Sequence, residues 1–286
     1  MARPIERSGI SNGPAIELLL PGKTRRTSGR VTRDLFDRRL RALRRDRAAH
    51  TGPEMFLYDR AFDDCLERLA DISRPFGKAL LIGCPSPEWP ERLRPIVTEV
   101  DVVDPGLQFA LAANGTQVEE DRFDFGEDLY DLCIAIGTLD TVNELPIAIQ
   151  LIGRALRSDA PFIGAIAGGN SLATLRASLI EAGRASGRII GRTHPRIDPS
   201  SLAQLLAAAG FKMPVVDVDR VSLRYANVND LIGDLRSMGV TSVLAERPPA
   251  LSKSETAILQ TAFSEAGKDG RTDEVVEILH FLGWTQ

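Results

Sequence analysis

Cysteine, histidine and lysine are scarce in this 286-residue sequence, and each shortage excludes something. The three cysteines (Cys65, Cys84 and Cys133) are widely spaced and odd in number. They form no CxxC pair, so a disulfide framework is out and a reducing compartment fits best. The three histidines (His50, His194 and His280) make no 2-His-1-carboxylate cluster by local spacing, so no metal site is assigned. No window approaches 18 uninterrupted apolar residues, which excludes a spanning helix. The apolar run from Ile16 to Leu20 stops at Pro21-Gly22 and is too short for a secretory signal. Apolar residues at 43% and charged residues at 26% sit near soluble-globular averages, so collagen-like, mucin-like and wholly disordered chains are excluded.

Basic charge is almost entirely arginine, and it is unevenly placed. Formal net charge is -4, yet residues 1–50 hold 13 Arg/Lys against 5 Asp/Glu, leaving an acidic remainder. A basic arm on an acidic body points to a contact with an anionic partner, with an anionic membrane surface, or with the acidic body itself. A plain solvated Arg-rich helix is the simpler alternative. No nucleic-acid partner is expected. Residues 1–30 lack periodicity and read as a flexible arm.

From Arg33 to Ala49 the pattern is helical, with Leu35, Phe36, Leu40 and Leu43 as an apolar stripe among arginines, and a second helix is expected over about 54–72. Beyond Pro75 short apolar runs alternate with helical segments. Strands are predicted at 78–83, 98–103, 130–136 and 161–167, with helices at 107–114 and 144–156 between them. That alternation calls for an α/β fold, a parallel sheet with helices on both faces. Helices at 171–185, 199–209, 228–238 and 255–266 and strands at 215–219, 221–225 and 275–282 complete the chain.

In such a sheet the ligand crevice lies beyond the carboxyl ends of the strands. Three pieces of this chain fall there: the turn Gly83-Cys84-Pro85-Ser86-Pro87, the acid Asp104 ending the second strand, and the loops holding Glu119-Glu120-Asp121 and Ile136-Gly137-Thr138. An acid after the second strand can accept hydrogen bonds from both hydroxyls of a ribose, and a later acid can accept from an adenine amino group. An Asp there is equally a turn or helix-cap residue.

The chain resembles the class I S-adenosylmethionine-dependent methyltransferases, in the branch of the complex I assembly factors of mitochondria and alphaproteobacteria, itself similar to the malonyl-carrier-protein methyltransferases. The resemblance runs over about 33–284. It is carried by Leu35-Phe-Asp-Arg-Arg39, Asn143-Glu-Leu-Pro146, Phe162-Ile-Gly-Ala165, Gly168-Gly-Asn-Ser-Leu172, Ala209-Gly-Phe211, Val216-Asp-Val-Asp219, Leu235-Arg-Ser-Met-Gly239 and Leu282-Gly-Trp284. It implies a Rossmann-like sandwich with a seven-stranded, mostly parallel sheet and an antiparallel final strand. It implies an arm over 1–30, a methyltransferase-like domain over 31–286, cap helices over 31–74 and a substrate-side insertion over 170–198. It also implies S-adenosylmethionine as cofactor, held by Gly83, Cys84, Asp104, Glu119, Glu120, Ile136 and Gly137, with no catalytic residue assigned.

Two departures stand out. The family's first turn is Gly-Cys-Gly-x-Gly, and here Pro85 and Pro87 take the places of glycines. Proline has no N–H and a fixed φ, so two donors are lost and ring atoms enter the cofactor's path. Where the family often shows His-Trp, this chain has Asp140-Thr141. Three readings follow: a methyltransferase acting on a protein substrate in respiratory complex I assembly, a protein-arginine hydroxylase as the mitochondrial relative implies, or a non-catalytic assembly protein on a degenerate fold. The expected location is the cytoplasm of a bacterium, with peripheral contact at the inner membrane.

Overall fold

A computed structural model describes residues 34–187 and 191–286. The expected arm over 1–30 therefore lies outside the described residues, as do positions 188–190 of the expected insertion.

Continuous apolar sequence makes the centre of the sheet. β1 (Phe76–Ile82), β4 (Leu132–Ile136) and β5 (Pro161–Ala167) are buried over most of their length, as strands covered on both faces must be. β2 (Val97–Asp104) and the two-residue β3 (Thr116–Gln117) extend one side, and β6 (Lys212–Tyr225) and β7 (Thr272–Trp284) the other. The order is β3-β2-β1-β4-β5-β7-β6, and β7 runs antiparallel to both its neighbours. This is the sheet expected from the sequence. Gly164 lets β4 and β5 pair closely, since a Cβ there would lie 2.1 Å from the Ala135 carbonyl oxygen.

Helices cover both faces. α1 (Arg38–Thr51) and α2 (Phe56–Ala70) precede β1, and α3 (Trp89–Leu93) and α4 (Leu107–Ala112) flank β2. α5 (Leu145–Ala155), α6 (Ala173–Ala185), α7 (Pro199–Ala208), α8 (Val228–Ser237) and α9 (Lys253–Glu265) follow. α2 buries Tyr58, Ala61, Phe62, Cys65 and Leu69, one helical stripe, against one sheet face. α5 buries Ala148, Ile149, Ile152 and Ala155 against the other. A Ser252–Glu255 capping box starts α9.

Two details differ from the sequence reading. The strands expected at 215–219 and 221–225 are one 14-residue strand, because β6 is a half-exposed edge whose alternation continues through Arg220. β3 and α3 were not anticipated, being two and five residues long. Trp284 is half-exposed, with the Arg74 guanidinium 5.7 Å from its ring centroid.

Candidate functional site

The carboxyl ends of β1, β2 and β4 meet where the sequence places the crevice. Gly83 leaves β1 at φ +78°, with its N–H on the Val103 carbonyl, and a Cβ there would lie 2.3 Å from the Ile136 carbonyl oxygen. Glycine is therefore required at the turn. The Cys84 N–H donates to Asp104 Oδ2 at 2.9 Å, and the Gly106 N–H to Asp104 Oδ1 at 2.7 Å. Gly83, Cys84, Asp104, Ile136 and Gly137 are thus brought together.

What fills the space above them is α1. Its arginines at i, i+3 and i+7 face inward. Arg45 donates from Nε and Nη2 to the two Asp104 carboxylate oxygens at 2.7 and 2.5 Å. Arg41 donates from Nη1 and Nη2 to the two Glu120 carboxylate oxygens at 2.6 and 2.8 Å, from Nη2 also to the Thr138 carbonyl at 2.6 Å, and from Nε to Thr141 Oγ1 at 2.9 Å. Arg38 meets Asp121 through both terminal nitrogens at 2.5 and 2.7 Å. Asp104 and Glu120 are fully buried, and the Arg41 and Arg45 side chains are 7% and 4% exposed. Burial alone would lower the Arg45 guanidinium's pKa, but the Asp104 charge outweighs it and the net shift is upward. Glu119 is not part of this row. Its half-exposed carboxylate sits at the rim, 3.3 Å from both Arg38 and Arg122.

The beginning of α1 is pinned as well as its face. The Phe36 N–H donates to Asn143 Oδ1 at 2.8 Å, Asn143 Nδ2 donates to the Phe36 carbonyl at 3.0 Å, and the Asp37 side chain caps the helix on the Leu40 N–H. Two sequence blocks that carry the resemblance, 35–39 and 143–146, therefore meet in space. Of the apolar stripe read from the sequence, Phe36 is buried and Leu40 half-buried, but the rest is turned outward. Leu35 and Leu43 are 47% and 43% exposed, and the arginine face is the buried one.

α2 closes the crevice from the other side. The Tyr58 hydroxyl donates to the Met238 carbonyl at 2.8 Å, and its ring lies on Gly137, where a Cβ would be 2.5 Å from the ring edge. With Gly137 at φ +64°, replacing it by alanine should cost about 2 kcal/mol through overpacking against Tyr58. Urea unfolding measures this, and an unchanged midpoint would show that Tyr58 is not seated there. Trp89 stacks on Phe62 at 4.3 Å between centroids, and its Nε1 donates to Asp59, so it packs rather than covers the crevice. Cys84 is buried and its thiol is pushed up to about 12 by burial first and the nearby Asp104 charge second, which leaves it unreactive.

S-adenosylmethionine would need the Asp104 oxygens for its ribose hydroxyls and a carboxylate near Glu120 for its adenine. Asp104 already accepts four hydrogen bonds and Glu120 holds a guanidinium on both oxygens. Pro85 offers no N–H, and the turn closes on itself through the Trp89 N–H to the Ser86 carbonyl. With α1 seated, the residues present do not fit the cofactor. Among the described residues no three His, Cys, Asp or Glu side chains gather as a metal site, and no helix is long and apolar enough to cross a membrane.

A chamber of about 110 Å³ adjoins the crevice at Arg41, Arg45, Ile136 and Gly137 and reaches past Tyr58 to the ends of β4 and β5. Its walls include neither Asp104 nor Glu120, and its polar end carries Asp140, Arg196 and His194. Sequence reasoning placed Asp121 at the crevice and noted Asp140, but did not select the arginines of α1, Tyr58 or the meeting of Asp140 with Arg196. The spacing 38, 41, 45 was the available signal for the arginines of α1.

A family model described as a methyltransferase domain matches residues 54–215. The arginine-hydroxylase NDUFAF5, mitochondrial, of Danio rerio is 27% identical over 90% of this chain and 84% of its own length. The malonyl-[acyl-carrier protein] O-methyltransferase of Laribacter hongkongensis is 29% identical over 55% of this chain and 54% of that protein. Among solved structures, the YcgJ protein from Bacillus subtilis aligns with a TM-score of 0.52 at 14% identity, covering 77% of this chain and 97% of that one, a likeness of fold. The sheet order, the crevice at the strand ends and these matches agree: the chain belongs to the methyltransferase domain family.

Proposed function

We propose that this methyltransferase-like chain works as an assembly protein on a protein partner of the respiratory chain, and that with α1 seated it does so without S-adenosylmethionine. The observation that carries this is Arg45 on Asp104: the acid that would orient a ribose is saturated by the chain's own guanidinium, in a buried pair. The role in respiratory complex I assembly rests on the family resemblance, and a cytoplasmic place of action near the inner membrane goes with it. A second reading has its own support. The row Asp121, Glu120 and Asp104 grips three guanidinium groups, and a relative along most of the chain is named an arginine-hydroxylase. An arginine-bearing segment of a partner is therefore the substrate class that the acid row suits.

Calorimetry and thermal melting of the full chain with S-adenosylmethionine and S-adenosylhomocysteine test the proposal. A ligand bound only to the folded state at 100 times its Kd adds about 2.7 kcal/mol of stability. The expected result is no heat and no shift at about 1 mM ligand. Saturable binding at about 10 µM would overturn it.

A further inference from the structure

The chamber beyond Tyr58 presents a pair of charges that the protein leaves unfinished. Asp140, on the single 3₁₀ turn Leu139–Thr141, and Arg196, just before α7, stand 3.6 Å apart at its end, 14% and 12% exposed. That separation is too long for a hydrogen bond. Arg196 Nη1 is buried with no hydrogen-bond partner, and among the described residues none donates to the Asp140 carboxylate. His194 does not complete the pair. Its Nε2 accepts from the Val243 N–H at 2.8 Å, and burial lowers its pKa to about 4, so it is neutral at physiological pH. The two make an ion pair with no hydrogen bond between them, whereas buried charged groups are ordinarily hydrogen-bonded as well as paired. Ala165, Leu172, Met238 and Ile278 make an apolar side of the wall, and Arg41, Arg45, Ser171 and Thr241 also line it.

The ligand that completes this end must carry both a donor and an acceptor. An anion alone would satisfy Arg196 and face Asp140, and a cation alone would do the reverse. A dipolar head on a short apolar body matches all three features. An apolar cavity of about 150 Å³ takes up benzene, so this volume suits a ligand of about six to eight non-hydrogen atoms.

We propose that the chamber binds a free α-amino acid with a short aliphatic side chain, its ammonium group on Asp140, its carboxylate on Arg196 and its side chain among Leu172, Met238 and Ile278. The chamber borders the nucleoside crevice and shares Arg41, Arg45, Ile136 and Gly137 with it, but its Asp140–Arg196 end uses neither Asp104 nor Glu120, so amino-acid binding and S-adenosylmethionine binding are read separately.

The wild-type full chain is titrated with L-alanine, L-valine, isobutylamine and isovalerate, by calorimetry and thermal melting. Isobutylamine and isovalerate each lack one charge of valine. At least one amino acid is expected to bind saturably, and the matched amine and acid to bind at least about tenfold more weakly than valine or not at all. Asp140→Asn and Arg196→Gln, each melting cooperatively, should lose about tenfold or more in amino-acid affinity. The wild-type panel decides even where a variant fails to fold. No binding of either amino acid at about 10 mM, or an amine or acid that binds as tightly as valine, overturns the proposal.

Discussion

Replacing Arg45 by alanine should lower the stability of the chain by about 3–5 kcal/mol, because it strands a buried carboxylate. Asp104 would keep the Cys84 and Gly106 N–H donors but lose the only formal positive charge that it contacts among the described residues. The Arg45 guanidinium also lies 5.0 Å from the Phe109 ring centroid, so a face of that ring is uncovered too. For a domain of this size the loss corresponds to a melting temperature about 10 °C lower. Removing both charges should be far milder, since a buried ion pair is worth little more than apolar groups of similar volume. Arg45→Met with Asp104→Asn should therefore recover most of the loss. A single variant that melts within about 2 °C of the wild type would show that α1 does not occupy the crevice in solution.

The sheet was legible because its central strands are short apolar runs ended by Gly or Asp, and burial on both faces leaves no other way to write them. β5 spans Pro161–Ala167 as read, and α7 begins at Pro199, where proline fits the first helical turn. The edge was less legible, since β6 alternates half-buried with exposed residues and carries Asp217, Asp219 and Arg220, which look like a break. The crevice was found through Gly83 and Asp104, but its contents were not. A stripe of leucines among arginines predicts that the leucines face inward, and here acids 59 to 83 positions away along the chain turn that preference around. Local sequence reports periodicity. It does not report which distant carboxylates will meet a helix face. Likewise Asp140 was visible as a departure from the family pattern, whereas its neighbour Arg196 is 56 residues on and reaches it only through the chain that enters α7.

Acidification should release α1 before it melts the sheet. Burial by itself would raise the pKa of Glu120, but the Arg41 charge and hydrogen bonds outweigh it and hold the group below its ordinary value of 4.5. Asp121 is held below 3.8 in the same way, burial being outweighed by Arg38. The hydrogen bond from the Leu40 N–H, and then Arg247, lower the Asp37 cap. A carboxylate with a folded pKa below its unfolded value binds fewer protons in the folded state, so its contribution is complete at neutral pH and is lost as pH falls through the folded pKa. All three groups hold α1. The core strands β1 and β4 carry among them Phe76, Leu81, Leu132 and Ile134, which do not titrate. Each buried pair broken by protonation strands an arginine at a cost of about 3–5 kcal/mol, so losing two of them exceeds what a single helix docking can bear. Amide exchange followed from about pH 6 down to about pH 2, through and below the ordinary carboxylate range, should show residues 38–51 losing protection while 79–82 and 132–136 keep it. Raising the salt at pH 6 should do much less, since buried pairs are weakly screened. Simultaneous loss of protection in helix and sheet would mean that the arginine row is not an independent latch but part of the core's own stability.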